Sequence, residues 1–403
     1  MKDVDLIVEK LQVFLQNDEP SSFFNYEQNL LIDKAQYLDA FIEGEPFPPF
    51  EVEIQMSSKC NLQCRWCIGD EVQEKSQVMH LSNQINTNNI DKIVDGILDF
   101  KINNLSIKIV KFSGFIGEPL LKKKATLMAM KRLVDAEIKV GLFTNGVLMT
   151  EDTWETLANI DYVHISLDAG RSSFFHLKES PTGKYTEETF NTIIDNIKGL
   201  SKVRQDKELQ INIGYIIVPE NHTHIFETAE LVKEAGANSI RFKCDIGERY
   251  ELEPEVIKIA FQEIDKVKQK LADTIFTVHS IHSKKEIERK NYKDWKKEYG
   301  CYYHNFLSTI GSDGSVYLCD HNTMPGAVSL GNSIKEPFKD IWKSDRRKYL
   351  ADKIQHICYC DVCPPFGNKL NFFLREIYEL TEKYGVTCMK EAIKKLRAGE
   401  YEN

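Results

Sequence analysis

No run of about 18 consecutive apolar residues occurs in the chain, which excludes a membrane-spanning helix. The opening MKDVDLIVEKLQVFLQNDEP is acidic and amphipathic and lacks the basic start and apolar stretch of a secretory signal. Basic charge is not in excess either: 52 Lys and Arg stand against 61 Asp and Glu, a net charge of −9. That balance argues against a nucleic-acid backbone as partner. Internal repeats and low-complexity tracts are also missing. What remains is an ordinary globular composition, 42% hydrophobic and 28% charged over 403 residues, enough for a sizeable core. That length predicts roughly two or three domains.

Cysteine, in contrast, is plentiful, with ten in the chain. Without a signal peptide the expected compartment is the reducing cytoplasm, where close-set thiols serve metals or redox centres rather than disulfides. Cys60, Cys64 and Cys67 form a front group, and Cys301, Cys319, Cys358, Cys360, Cys363 and Cys388 a rear one. Cys244 stands alone between them.

Apolar or β-branched runs predict strands at Phe50–Met56, Ile107–Phe112, Ile138–Phe143, Tyr162–Leu167, Leu209–Val218 and Ser239–Lys243. Helix-period segments lie between them, at Ser82–Asn103, Leu120–Ala136, Glu151–Ala158, Glu187–Val203 and Thr223–Ala235. This alternation predicts an α/β fold with a parallel sheet, doubly wound or curled into a partial barrel, and its chemistry at the C-terminal strand ends. A helix follows at Glu253–Ala272, and the basic, mixed-charge SKKEIERKNYKDWKKEY at Ser283–Tyr299 reads as a solvated face. The expected domains are a helical extension at 1–49, the β–α repeats at 50–250, connecting helices at 251–300, a cysteine-rich unit at 301–367 and a C-terminal helix at 368–403.

KCNLQCRWC sets three thiols as C-x3-C-x2-C directly after the first strand. Three thiolates on a [4Fe–4S] cube leave one iron open to a substrate or cofactor. The alternative is a zinc site completed by a distant ligand. The stretch resembles the signature of the radical S-adenosylmethionine (SAM) superfamily, C-x3-C-x-aromatic-C, with Trp66 in the aromatic place. The resemblance implies a partial (β/α)6 barrel in which the open iron chelates SAM and the pair yields a 5′-deoxyadenosyl radical.

Further motifs resemble the family in order. FSGFIGEPL, with Gly117, Glu118 and Pro119, is similar to the Gly-Gly-Glu-Pro segment that binds the SAM amino group, although Ile116 stands where many relatives have glycine. Asn145 after the third strand and Ser166 and Asp168 after the fourth occupy places where relatives contact the SAM ribose and carboxylate. The fifth strand, NIGYIIVP with Asn221 beyond it, resembles the adenine-contacting strand. Arg241 on the sixth is a candidate for the SAM carboxylate, a substrate anion or a rim ion pair.

Cys301 and Cys319, spaced C-x12-G-x4-C through Gly314, resemble the opening of SPASM/twitch auxiliary-cluster domains. Gly331-Asn332 and Ile341-Trp342 are similar to the connecting helix of that domain. The x5/x3 cysteine pair of a full SPASM domain is missing, so the resemblance implies one auxiliary [4Fe–4S] cluster on Cys301, Cys319, Cys360 and Cys363. Cys358 is a possible replacement ligand, Cys388 reads as a buried apolar thiol, and a zinc ribbon is the alternative for the whole unit.

The reading is a radical SAM oxidoreductase that dehydrogenates or epimerises a polar small molecule such as a sugar or aminocyclitol. Cys244, just past the sixth strand run, is either a packing thiol or the hydrogen donor of an epimerisation. Two other readings stand beside it: a maturase that modifies a peptide, and an iron–sulfur assembly or redox module without SAM chemistry. A flavodoxin or ferredoxin is the expected electron donor, with neither nucleic acid nor membrane as partner.

Overall fold

The computed structural model describes residues 2–15, 26–67, 84–114, 117–179, 187–204, 207–244, 252–280, 301–323, 327–353 and 365–399. In chain order the strands are β1 Glu51–Gln55, β2 Gln63–Cys64, β3 Lys101–Ile102, β4 Leu105–Ser106, β5 Ile109–Ser113, β6 Lys139–Thr144 and β7 Tyr162–Ser166. They continue as β8 Lys178–Glu179, β9 Gln210–Ile217, β10 Ser239–Cys244, β11 Thr277–Ser280, β12 Leu307–Ile310, β13 Ser315–Tyr317 and β14 Gly331–Asn332. One sheet runs β11-β10-β9-β7-β6-β5-β1-β12-β13-β14. From β11 to β12 every pairing is parallel, and β13 and β14 then add antiparallel. This is the expected α/β fold, a partial (β/α) barrel followed by a smaller unit of short strands.

All six predicted strands are present. Period-2 alternation explains how they sit. In β1, Val52 and Ile54 are fully buried, as are Val110 and Phe112 in β5 and Val163 and Ile165 in β7. Each such side chain contributes roughly 1.5–3 kcal/mol on leaving water, and together they form the core between sheet and helices. The alternate positions, Glu51, Glu53, Gln55, Lys111, Tyr162, His164 and Arg241, present polar groups to the inner face. Gly141 and Gly214 make room there, because a Cβ would lie 2.0 Å from the Tyr162 ring or 2.6 Å from His164 Nε2.

Three strands of the sheet escaped sequence analysis as sheet members: β11, β12 in its pairing with β1, and β14, where Gly331-Asn332 pairs with β13 instead of joining the helix Phe338–Lys343 that holds Ile341-Trp342. The helix predicted over Ser82–Asn103 is confined to Ile90–Leu98. Asn103 and Asn104, both at positive φ, instead turn the β3–β4 hairpin. The C-terminal helical stretch is two helices, Pro365–Tyr384 and Val386–Ala398, broken at Gly385 with φ +84°.

The terminal helices form a second core. Ile7, Leu11, Leu30 and Leu38 pack with Phe373, Ile377, Ile393 and Leu396. Arg397 ties them, donating to Leu31 O, Ala35 O and Asp39. This bundle lies beneath the N-terminal strand ends: Tyr37 and Phe47 meet Phe50 or Phe306 edge-on or tilted, and Phe50 N donates to Phe306 O. The foot of the barrel is therefore covered, and the opposite end carries the cysteine loop. No described helix is long and apolar enough to cross a membrane.

Candidate cluster and cofactor site

The chain leaves β1 through Met56, Ser57 and Ser58 and turns at Lys59 into the cysteine loop, where the Ser57 hydroxyl accepts from Lys59 N at 3.1 Å. The segment after β5 docks on this turn through its backbone. Glu118 N donates to Lys59 O at 2.8 Å. A Cβ on Gly117 would stand 2.0 Å from Ser57 O and one on Gly114 1.4 Å from Gly117 O, so side chains at either place push the two loops apart. Phe115 and Ile116, between them, lie outside the described residues.

Glu118 is 1% exposed. Its Oε1 accepts from Leu120 N at 2.9 Å and from the Thr144 hydroxyl at 2.8 Å, and its Oε2 accepts from Asn145 N at 2.8 Å. Burial pushes this carboxyl up, against the hydrogen bonds that favour its charge. Pro119 opens a short 3₁₀ turn, where its missing N–H costs nothing. Asn145 Nδ2 reaches Asn61 Oδ1 at 2.8 Å and Cys60 Sγ at 3.7 Å, and Leu62 N donates to the same sulfur at 3.4 Å. Gly146 takes the tight turn at φ +80°. Asn145 thus connects the β6 end to the cysteine loop.

The other side of that loop is held by residues that sequence analysis missed. β2 pairs antiparallel with β8, setting Cys64 opposite Lys178, and Arg65 N donates to Leu177 O at 3.1 Å. The Lys178 side chain is 1% exposed, with its ammonium on Ser166 O and 3.2 Å from Asp168 Oδ2. Burial opposes that charge, but Asp168 and Cys64 outweigh it and raise the lysine. Asp168 sits at φ +58°, and its Oδ1 accepts from Ile216 N at 3.1 Å. Asn221 is fully buried and spends its side chain on Asp168 O, Ile216 O and Val218 N. It clamps β7 to β9 from within rather than facing a ligand. Trp66 is likewise buried against the main core.

Arg241 faces inward on β10 with Nη2 3.5 Å from His164 Nε2. Burial first, then Arg241, hold His164 well below its ordinary value, so the ring is neutral. Cys244 ends β10 in step with Ile240 and Phe242, both fully buried, and out of step with Ser239, Arg241 and Lys243. It packs half-buried against the helix-side core. Strand alternation thus gives Cys244 the parity of Ile240 and Phe242 rather than that of Arg241.

Do these residues fit a cluster and SAM? Cys60, Cys64 and Cys67 are half-buried and outside any disulfide, and their charges interact with one another. Burial raises Cys60 to about 11 and Cys64 further, so a metal must draw off their protons. Among the described residues no three His, Cys, Asp or Glu groups stand close enough to share one metal ion. A four-iron cube spreads its thiolates wider than a single ion does. The N–H donors on Cys60 Sγ and the side-chain-free approach at Gly117 also suit a bound cluster and cofactor. The residues fit.

In the rear unit, β12 and β13 form the predicted hairpin, with Gly314 in the turn at φ +82°. Cys301 and Cys319, both half-buried, flank it. Cys358, Cys360 and Cys363 lie outside the described residues. Cys388 packs against the core of the terminal helices.

A model of the radical SAM superfamily matches residues 54–232, and one described as an iron–sulfur cluster-binding domain, SPASM, matches 301–364. The chain carries a radical SAM domain and a SPASM domain. This radical SAM enzyme accordingly has a SAM-binding [4Fe–4S] cluster and auxiliary iron–sulfur binding. It is 23% identical to a GTP 3′,8-cyclase of Staphylococcus aureus over 336 residues, 76% of this chain and 91% of that protein. With a probable GTP 3′,8-cyclase of Methanocaldococcus jannaschii it shares 26% over 189 residues, 46% of this chain. That match spans only 56% of the archaeal protein. In fold it is similar to Streptococcus suis SuiB bound to precursor peptide SuiA, with TM-score 0.56, 17% identity and coverage of 89% and 82%. It is also similar to anSMEcpe with bound AdoMet and the Cp18Cys peptide, with TM-score 0.54, 17% identity and coverage of 88% and 100%.

Proposed function

We propose that this radical SAM enzyme is an oxidoreductase whose substrate is a polar small molecule, a sugar or aminocyclitol, dehydrogenated at a carbinol carbon inside the barrel. The observation that carries the reading is the inner face itself: Glu53, Lys111, His164 and Arg241 line it, above a foot covered by the terminal helices. An apolar ligand would strip water from such groups and offer no hydrogen bond in return, whereas hydroxyl groups match them.

Cys60, Cys64 and Cys67 are assigned to the SAM-binding cluster, and Cys301, Cys319, Cys360 and Cys363 to an auxiliary one. Trp66, Gly117, Glu118, Pro119, Asn145, Ser166, Asp168 and Arg241 are assigned to the cofactor site. When bound, cluster and SAM supply a 5′-deoxyadenosyl radical that takes a hydrogen atom from substrate. The chain's own part is positional. Gly117 leaves space beside Ser57 O. Glu118 and Asn145 fix the β5 and β6 ends against the cysteine loop. Lys178 places a fixed positive charge beside Cys64, and Asp168 holds it there. Dehydrogenation is preferred to epimerisation because Cys244 lies on the helix side of β10.

A second reading, modification of a peptide, draws on the peptide-bound structures of similar fold. The test is 5′-deoxyadenosine formation by anaerobically reconstituted enzyme, offered sugars, aminocyclitols, GTP and short peptides separately. Stimulation by a sugar or aminocyclitol, with an oxidised product, is the expected outcome. Stimulation by peptide alone would replace the proposal with the second reading.

A further inference from the structure

We propose that Arg347 and His304 form a site for one carboxylate group of a small molecule, where the helices after β14 meet the turn before β12. The site lies at the foot of the barrel, beside Phe47 and Phe306 and away from the cysteine loop. It does not depend on the substrate assigned to the barrel interior.

The Ile341-Trp342 motif builds one wall. Trp342 is buried on the helix Phe338–Lys343, and its indole N–H donates to Phe47 O at 2.9 Å. The next helix, Asp345–Asp352, is capped by Ser344, whose hydroxyl accepts from Arg347 N at 3.2 Å. From this first turn the Arg347 guanidinium stacks 3.8 Å over the indole. Stacking covers a face of the group, but the N–H donors point outward in its plane and are not satisfied by it. On the edge, Nη2 donates to Asn305 Oδ1 at 3.1 Å, and the Asn305 amide is itself anchored on Tyr302 O at 3.0 Å. Nε is buried and has no hydrogen-bond partner. Among the described residues no carboxylate offsets this charge, and burial pulls the guanidinium down to about 10. Asp345, two positions earlier, is fully exposed and pairs with Lys348 at 3.2 Å.

A second observation comes from the opposite wall, the short turn Tyr303–Asn305. His304, next to Asn305, is 5% exposed, and its Nδ1 also has no hydrogen-bond partner. The ring is close enough to Arg347 to feel its charge, and burial first, then that charge, keep it neutral. A neutral imidazole can carry its one proton on Nδ1 and donate it. Two buried donors thus lack acceptors around one uncompensated cation, and both are costly until an acceptor joins them. A carboxylate accepts only and carries one negative charge, which matches one guanidinium beside a neutral ring. The second charge of a phosphate dianion would find no partner there. Arg347 is half-buried rather than enclosed, so a small solute can reach its edge. Bound there, the carboxylate ties the helix Asp345–Asp352 to the turn that follows Cys301.

The experiment is calorimetry on the reconstituted holoenzyme near neutral pH, in chloride buffer of constant ionic strength. Acetate is the probe and acetamide its neutral isostere. Acetate should fill one site per chain with a Kd on the order of 1 mM, the strength of two charge-assisted hydrogen bonds. Acetamide should bind at least about tenfold more weakly, because it lacks the charge. In Arg347→Gln acetate affinity should fall at least about tenfold, with iron content and SAM affinity retained. Should that variant not fold, Arg347→Lys keeps the charge without the Nε edge and should weaken acetate in the same direction. Wild type that binds no acetate, or acetate binding unmoved by the substitution, overturns the site. Inorganic phosphate binding more tightly than acetate overturns the carboxylate assignment.

Discussion

At the scale of single residues, this site depends less on which groups meet a cofactor than on which groups hold one another. Glu118 spends three hydrogen bonds on the backbone and side chains of neighbouring loops before any ligand arrives. Lys178 and Asp168 are a buried ion pair, an arrangement in which removing either partner strands the other charge. Cys244 contrasts with both. It shares the helix-side parity of Ile240 and Phe242, and its thiol packs against apolar neighbours. Cys244→Ala should therefore keep most of the substrate-dependent 5′-deoxyadenosine formation and lower stability by about 1 kcal/mol, as small core truncations do. Abolished turnover together with intact iron content would restore the thiol as a hydrogen donor. Sequence alone did not separate these outcomes, because one residue of strand register moves a side chain between faces.

At the scale of elements, the β–α alternation was legible because each strand is long enough to show its pattern. The EVEIQ of β1 even displays its polar interior as Glu51, Glu53 and Gln55 between Val52 and Ile54. Lys178 left no such trace: its partner Asp168 is ten residues away, and the two-residue strand that positions it is too short for a periodic signal. The place of β12 in the sheet was hidden for another reason, since its pairing with β1 joins residues far apart in sequence. The same segment carries a titrating group. His304, in the turn before β12, is buried, and burial first, then Arg347, hold it down to about 3 from an ordinary 6.5. A histidine whose folded value is depressed stabilises the fold above its unfolded value, and that contribution is lost as pH falls towards the folded one. Stability should therefore drop between pH 6.5 and about 3, by up to about 1.4 kcal/mol per pH unit from this residue. Urea unfolding of the apo-protein at pH 7 and pH 5 measures the slope. His304→Gln should flatten it, and an unchanged slope would assign the acid sensitivity to other groups.

At the scale of the whole molecule, the barrel and the SPASM unit share one sheet, so the two halves are joined by backbone hydrogen bonds along β1 and β12 rather than by a linker. Glu51 to Ile54 pair with Leu307 to Ile310, and Cys301 and Cys319 flank that shared strand and its hairpin. The front cysteines leave the C-terminal end of β1. Each cluster is thus assigned to one side of a common strand pair, and loss of one should not unfold the other. Wild type reconstituted under anaerobic conditions should hold about eight irons per chain, two cubane clusters, and Cys301→Ala/Cys319→Ala about four. The variant should still bind SAM, because Gly117, Glu118 and Asn145 are tied to one another and to the front loop. About four irons in both proteins would make the rear thiols a zinc or purely structural site. Dehydrogenation would then lack an internal acceptor for its second electron, and a redox-neutral reaction would become the better reading.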